Sequence, residues 1–219
     1  MTLALRTAIT LAASLIALTT PGPARGDGPA SGAWTFSVQL DDKPIGQHSF
    51  TLKAAGAGRE LQSAADFTVR FFGISVYRYR HTATEQWTGD CLSGLTARTD
   101  DNGRVHTVQT KPDGDGLSVQ TKRGTQHLSG CVMSFAYWHP LMLKQTHLLN
   151  AQTGRYDEVR IESLGDDKFE AQGRMQAAKH YRINGPEQPV DLWYTPQGDW
   201  IGLQSLVSGG KRKLTYRRQ

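Results

Sequence analysis

The chain has 219 residues, a formal net charge of +5 and two cysteines. That length supports one domain with its own core. The basic residues are scattered, with no recognition helix and no zinc spacing, which argues against a nucleic-acid partner. No apolar run reaches the roughly 20 residues needed to span a bilayer, so a membrane-spanning protein is not expected.

Arg6 and the free amine precede the apolar stretch "AITLAASLIAL" (Ala8–Leu18), and "TTPGPARG" then breaks it. Small residues at Ala24 and Gly26 offer a cleavage pattern, so residues 1–26 read as a signal peptide. The expected product is an exported, periplasmic single domain over residues 27–219, of 219 − 26 = 193 residues. Loss of Arg6 and Arg25 lowers the formal charge from +5 to +3, much of it in "KRKLTYRRQ", which reads as a solvated tail. In an oxidising compartment Cys91 and Cys131 are expected to form a disulfide, since no C-x-x-C redox spacing is present.

From Trp34 onward the pattern is β. "WTFSVQL" places Trp34, Phe36, Val38 and Leu40 on one face, the period-2 signature of a half-buried strand. "DDKP" turns the chain into "IGQHSFTLKA", and "AAGAGRE" turns it again. "LQSAADFTVRFF" and "VYRYRHTATEQW" read as long strands joined at Gly73. Asn102–Gly103 is a strong hairpin signal, and "DGDG", "KRG", "GDD", "NGPEQP", "TPQGD" and "SGG" mark further turns. The reading is an all-β, mainly antiparallel protein, a curved open barrel or half-barrel.

One stretch breaks the alternation: "CVMSFAYWHPLMLKQTHLLNAQTG", residues 131–154. Pro140 suits the first turn of a helix. Leu141, Gln145, Leu148 and Leu149 share a helical face, and Asn150 suits a helix end. A short helix packed as a plug or lid is therefore expected. Phe135, Tyr137, Trp138, His139, Leu141 and Met142, with Tyr79 and Trp87 from the strands, are the candidate ligand-binding residues. The same cluster reads as core that closes the barrel, and this reading is favoured because large aromatics supply so much of any interior.

In "VYRYRHTATEQW", Tyr77, Tyr79, His81, Ala83, Glu85 and Trp87 share one face, and Arg78 and Arg80 the other. His81 and Glu85 are weak catalytic candidates. Four strand residues separate their Cα atoms by ~13 Å, which argues for separately satisfied groups rather than one shared metal. The seven histidines (His48, His81, His106, His127, His139, His147 and His180) form no metal-ligand spacing. Neither a G-x-S-x-G elbow nor a phosphate loop is present, and no cofactor or metal is expected.

At "YRYRHTATEQW", "GCVMSFAYWHPLML", "LLNAQTG" and "DLWYTPQGDWIGLQS" the chain resembles an uncharacterised family of exported bacterial proteins, a domain of unknown function. The resemblance implies no catalytic residues. The expected architecture is also remotely similar to lipoprotein-carrier half-barrels, in which a curved sheet and a helical lid enclose acyl chains. Three functions follow as expectations: non-enzymatic binding or carriage of a lipid or other apolar or amphipathic ligand, an envelope-acting enzyme using His81 and Glu85, or a packed scaffold. Nothing in the sequence sets the oligomeric state.

Overall fold

The structure is a computed structural model that describes residues 28–185 and 187–219. The proposed signal peptide, 1–26, lies outside the described residues. β1 (Gly32–Leu40) buries Trp34, Phe36, Val38 and Leu40, as its alternation predicts. It opens an antiparallel meander of β2 (Lys43–Ala55), β3 (Gly58–Phe71), β4 (Ile74–Thr88), β5 (Cys91–Asp101), β6 (Arg104–Asp113), β7 (Gly116–Thr121) and β8 (Gly124–Leu128). Residues 129–159 follow, carrying the short pair β9 (His147–Leu149) and β10 (Tyr156–Glu158). A second meander then runs through β11 (Arg160–Ala171), β12 (Arg174–Asn184), β13 (Val190–Tyr194), β14 (Trp200–Val207) and β15 (Arg212–Arg218).

The two meanders join where β15 pairs with β1, giving one antiparallel sheet of 13 strands. Its edges are β8 and β11, so the sheet is open rather than closed. At the β5–β6 hairpin Asn102 and Gly103 have φ of 51° and 89°. Positive φ at both centres is the type I′ pattern, whose twist matches the strands, and Asn and Gly adopt it at least cost. Among the described residues no helix is long and apolar enough to cross a membrane.

Three expectations are corrected. The basic C-terminus is not a solvated tail: β15 lies inside the sheet between β14 and β1, and buries Thr215 and Tyr216. Its charges flank Leu214, Thr215 and Tyr216 in pairs, so composition hid a strand. "GDD" is not a turn, because Gly165 marks a register irregularity inside β11, where β11 continues along β12. The expected short helix is present but ends sooner than its apolar face predicts. Only Pro140–Lys144 is helical, as a 3₁₀ turn, and Gln145 is already extended. A helix of about ten residues is marginal in water, whereas the extended path gains partners. Leu149 bonds Met133 through N–H···O at 2.9 Å, and β9 pairs with β10. Asn150 instead accepts the N–H groups of Gln152 and Thr153 in a turn.

Residues 131–149 fill one end of the half-barrel as a plug. Cys91 and Cys131 are bonded, and beside them Leu92 N–H donates to Val132 O at 2.8 Å. Val132, Met133, Ala136, Trp138, Met142, Leu148 and Leu149 join the same buried cluster as the inward faces of the strands. A polar clamp holds the rim. His139 Nε2 lies 3.0 Å from Asp90, Arg59 reaches the same carboxylate at 3.5 Å, and the Arg59 guanidinium stands 5.2 Å over the Trp138 ring. The His139 Nδ1 accepts from Leu141 N–H, which leaves Nε2 as the donor to Asp90.

Candidate functional site: the unplugged mouth

The inward face of β4 changes character along its length. At the plugged end Trp87, Glu85, Ala83 and His81 are buried, while farther along Tyr79 and Tyr77 are only half-buried. The same gradient appears on β2, where Leu52 is buried and Phe50 and His48 are half-buried. Inward-facing aromatics are thus left partly open at the end the plug does not reach.

These side chains form one continuous wall. From the plug, Tyr137 meets Trp200 at 5.1 Å between ring centres; Trp200 meets Phe50 at 5.2 Å; Phe50 stacks on His48 at 4.1 Å. Phe67 stacks on Tyr79 at 5.2 Å and stands edge-on to Tyr216 at 6.1 Å. Polar tips punctuate the wall. His48 Nε2 pairs with Ser63 Oγ at 2.8 Å and Nδ1 with the Tyr216 hydroxyl at 3.4 Å. Tyr77 donates to Asp101 at 2.7 Å. Burial raises the Tyr216 hydroxyl well above its ordinary range, and the neighbouring Tyr79 and Tyr137 add to this. Burial pushes His48 down to about 3, assisted by His81, and pushes His81 down to about 4. These histidines and tyrosines are therefore uncharged at physiological pH. Trp200, Phe67 and Tyr216 are buried at the back of the wall, while Tyr77, Tyr79, His48 and Phe50 present ring faces and hydrogen-bonding tips, the make-up of a site for an amphipathic ligand.

Toward the β8 edge lies an open cleft of about 450 Å³, bordered by Arg123, Gln126, Arg155 and Tyr156. A smaller neighbour includes His106 and Lys122.

The eight residues proposed as ligand-binding divide in two. Trp138, His139, Met142 and Trp87 are packed inside, with Trp87 and Trp138 edge-to-face at 5.3 Å. Phe135, Tyr137, Leu141 and Tyr79 are half-buried. Of these, Tyr137 and Tyr79 belong to the mouth wall. His81 and Glu85 both face inward but are not brought together. His81 Nδ1 pairs with Thr99 Oγ1 at 2.8 Å, whereas Glu85 accepts from Trp87 Nε1 at 3.0 Å. Among the described residues no group of three or more His, Cys, Asp or Glu is placed to hold a metal. Sequence reasoning missed His48, Phe50, Phe67 and Tyr216. The first two share a face in "QHSFTL", a period-2 signal available for reading; Tyr216 was hidden among arginines.

The domain-of-unknown-function family DUF6134 matches residues 36–219. The chain belongs to this family. No curated protein matches the DUF6134 chain. A solved structure does: the β-barrel-like protein of the domain of unknown function DUF1849 from Brucella abortus, with a TM-score of 0.61 and 11% identity, over 89% of this chain and 97% of that one. At that identity the likeness shows the fold alone.

Glu85 yields a prediction about the interior. Burial raises its carboxyl to about 7, against Ser134 and Trp87, which pull it down. Below pH ~4.5 folded and unfolded states are both protonated, and the group costs nothing. As pH rises from there to 7 the unfolded state gives up its proton and the folded state does not, so stability falls. Above pH 7 the charged, buried form carries a cost of about 3 kcal/mol. Glu85→Gln should therefore raise stability by about that much at pH 8 and by little at pH 4. The lowered His48 and His81 act with the opposite sign, losing stability as pH falls below ~6.5, but they cancel in the comparison of variant with wild type. Denaturant melts of both proteins at the two pH values provide the check. Equal gains at both would place the effect in packing rather than charge.

Proposed function

We propose that the DUF6134 protein is a non-enzymatic binding or carrier protein of the bacterial envelope, holding a lipid or other apolar or amphipathic molecule at the mouth of the half-barrel. Export and a periplasmic location belong to this proposal and rest on the N-terminal sequence. One observation carries it: inward-facing Tyr77, Tyr79, His48 and Phe50 are half-buried, although their strand neighbours beneath the plug are fully covered. A protein that needed only a core would gain by covering them, since burial yields about 25 cal/mol per Å² of apolar surface. Neutral histidines and bonded tyrosines suit a ligand with an apolar body and a polar end.

A packed scaffold is the second reading, favoured by the complete burial of His139 and Met142 in the plug. Titration with cis-parinaric acid separates the two. The carrier reading expects saturable fluorescence enhancement, weakened about tenfold in Tyr79→Ala, since one aromatic contact is worth on the order of 1.5 kcal/mol. No enhancement, or equal binding by the variant, would favour the scaffold.

A further inference from the structure

The β3–β4 hairpin reaches beyond its neighbours. The last pairing of β4 with β5 is Tyr79 with Asp101, and the last of β3 with β2 is Phe67 with Gly46. The six residue steps from Tyr79 to Gly73 carry the turn ~20 Å past the end of β5. Phe71, Phe72, Ile74 and Val76 are 65, 89, 70 and 52% exposed there, and the two phenylalanine rings pack edge-to-face at 4.5 Å. An apolar cluster of this kind on a projecting tip marks an interaction surface.

The turn itself is built against local preference. Phe72 and Gly73 have φ of 48° and 81°, the same signs as Asn102 and Gly103. Asn fits the first position of such a turn; a bulky aromatic there is a backbone outlier. Phe72 gains almost no burial in return, being 89% exposed. A residue that costs the fold and gives it nothing points to a use outside the fold.

Charge identifies the partner. Arg70 and Arg78, both exposed, stand just behind the apolar tip, and Arg78 spends its Nε on the Ser75 hydroxyl rather than on a carboxylate. Arg80 follows on the same face as Arg78, facing Asp66 at 3.3 Å, and exposed Arg104 sits on the adjacent hairpin. Asp101 is engaged by Tyr77, and Asp100 accepts from Gly103 N–H. An apolar tip with an arginine collar matches a lipid surface, where rings enter the acyl boundary and cations meet the phosphates.

We propose that the β3–β4 hairpin is a membrane-docking finger that inserts Phe71, Phe72 and Ile74 into an anionic bilayer surface, with Arg70 and Arg78 on the headgroups. It lies at the same end as the half-buried Tyr77 and Tyr79, so docking brings the mouth to the bilayer. The docking claim stands apart from the ligand claim, because vesicle binding needs nothing in the mouth.

The test is co-sedimentation of the envelope-purified protein with vesicles of phosphatidylglycerol and phosphatidylcholine, and with phosphatidylcholine alone. Wild type should sediment with the anionic vesicles, less at high salt. Phe72→Asn with Ile74→Thr should bind about tenfold more weakly or less. Its unfolding midpoint should hold or rise, because Asn suits the turn. Arg70→Gln with Arg78→Gln should remove the preference for anionic lipid. The proposal is overturned if wild type fails to sediment with anionic vesicles, or if the hairpin variant binds equally. It is also overturned if the hairpin variant merely dissolves a self-associated form and vesicles are ignored, which would assign the finger to a second copy of the chain.

Discussion

Replacing Cys91 and Cys131 together by serine should destabilise the protein by about 4 kcal/mol. The bond closes a loop across a sequence separation of 40, and in the chain-entropy description that loop is what the unfolded state loses. The loop contains β5, β6, β7 and β8, and its end, Cys131, begins the plug. Without the link, the plug keeps the Leu92–Val132 hydrogen bond and the Asp90–His139–Arg59 clamp. The variant should therefore fold to the same structure with a lower urea midpoint, a large loss beside a typical total of 5–15 kcal/mol. An unchanged midpoint would mean that the plug holds its approach to β5 without covalent help.

Trp138→Ala is expected to cost about 3–5 kcal/mol, the range for emptying an aromatic site in a packed core. Trp138 is 6% exposed, wedged against Trp87 and His139 beneath the Arg59 guanidinium. Its indole N–H has no hydrogen-bond partner among the described residues, so ring packing and the Arg59 cation over its face hold it. If the segment were a lid, loss of Trp138 or Met142 would weaken ligand retention more than folding, with Phe36 on β1 as the core control. The packing favours the plug: Met142 and Phe36 are equally buried at 0% exposure. All three truncations should lower the melting temperature alike. A Trp138→Ala protein that melts like wild type but has lost ligand would restore the lid reading.

Much of the sheet was legible because most strands have one wet face; β13 and β14 are the exceptions, with Trp193 and Ile201 buried against Phe169 on the second face. In β1 and β4 the alternation of apolar and polar residues assigns every side chain to a face, and the turns announce themselves through Gly and Asn. The plug was not legible. Leu148 and Leu149 are adjacent and both fully buried because β9 is covered on two sides, and adjacent apolar residues read equally well as a helical face. The 3₁₀ turn depends on the His139 ring capping Leu141, a contact that spacing does not reveal. The mouth was half legible. Tyr77 and Tyr79 declared their face, but the meeting of β2, β3, β4 and β15 that unites His48, Ser63 and Tyr216 is a matter of pairing order.

The central claim is that the open mouth carries an apolar or amphipathic molecule. Native mass spectrometry of the protein purified without detergent from its own cell envelope tests it most directly. The account predicts a protein mass with one discrete added species, released on denaturation as a lipid or fatty acid and depleted in Tyr79→Ala. A bare protein mass from wild type, with Tyr79→Ala identical to it, would contradict the claim and leave the half-barrel as a packed scaffold.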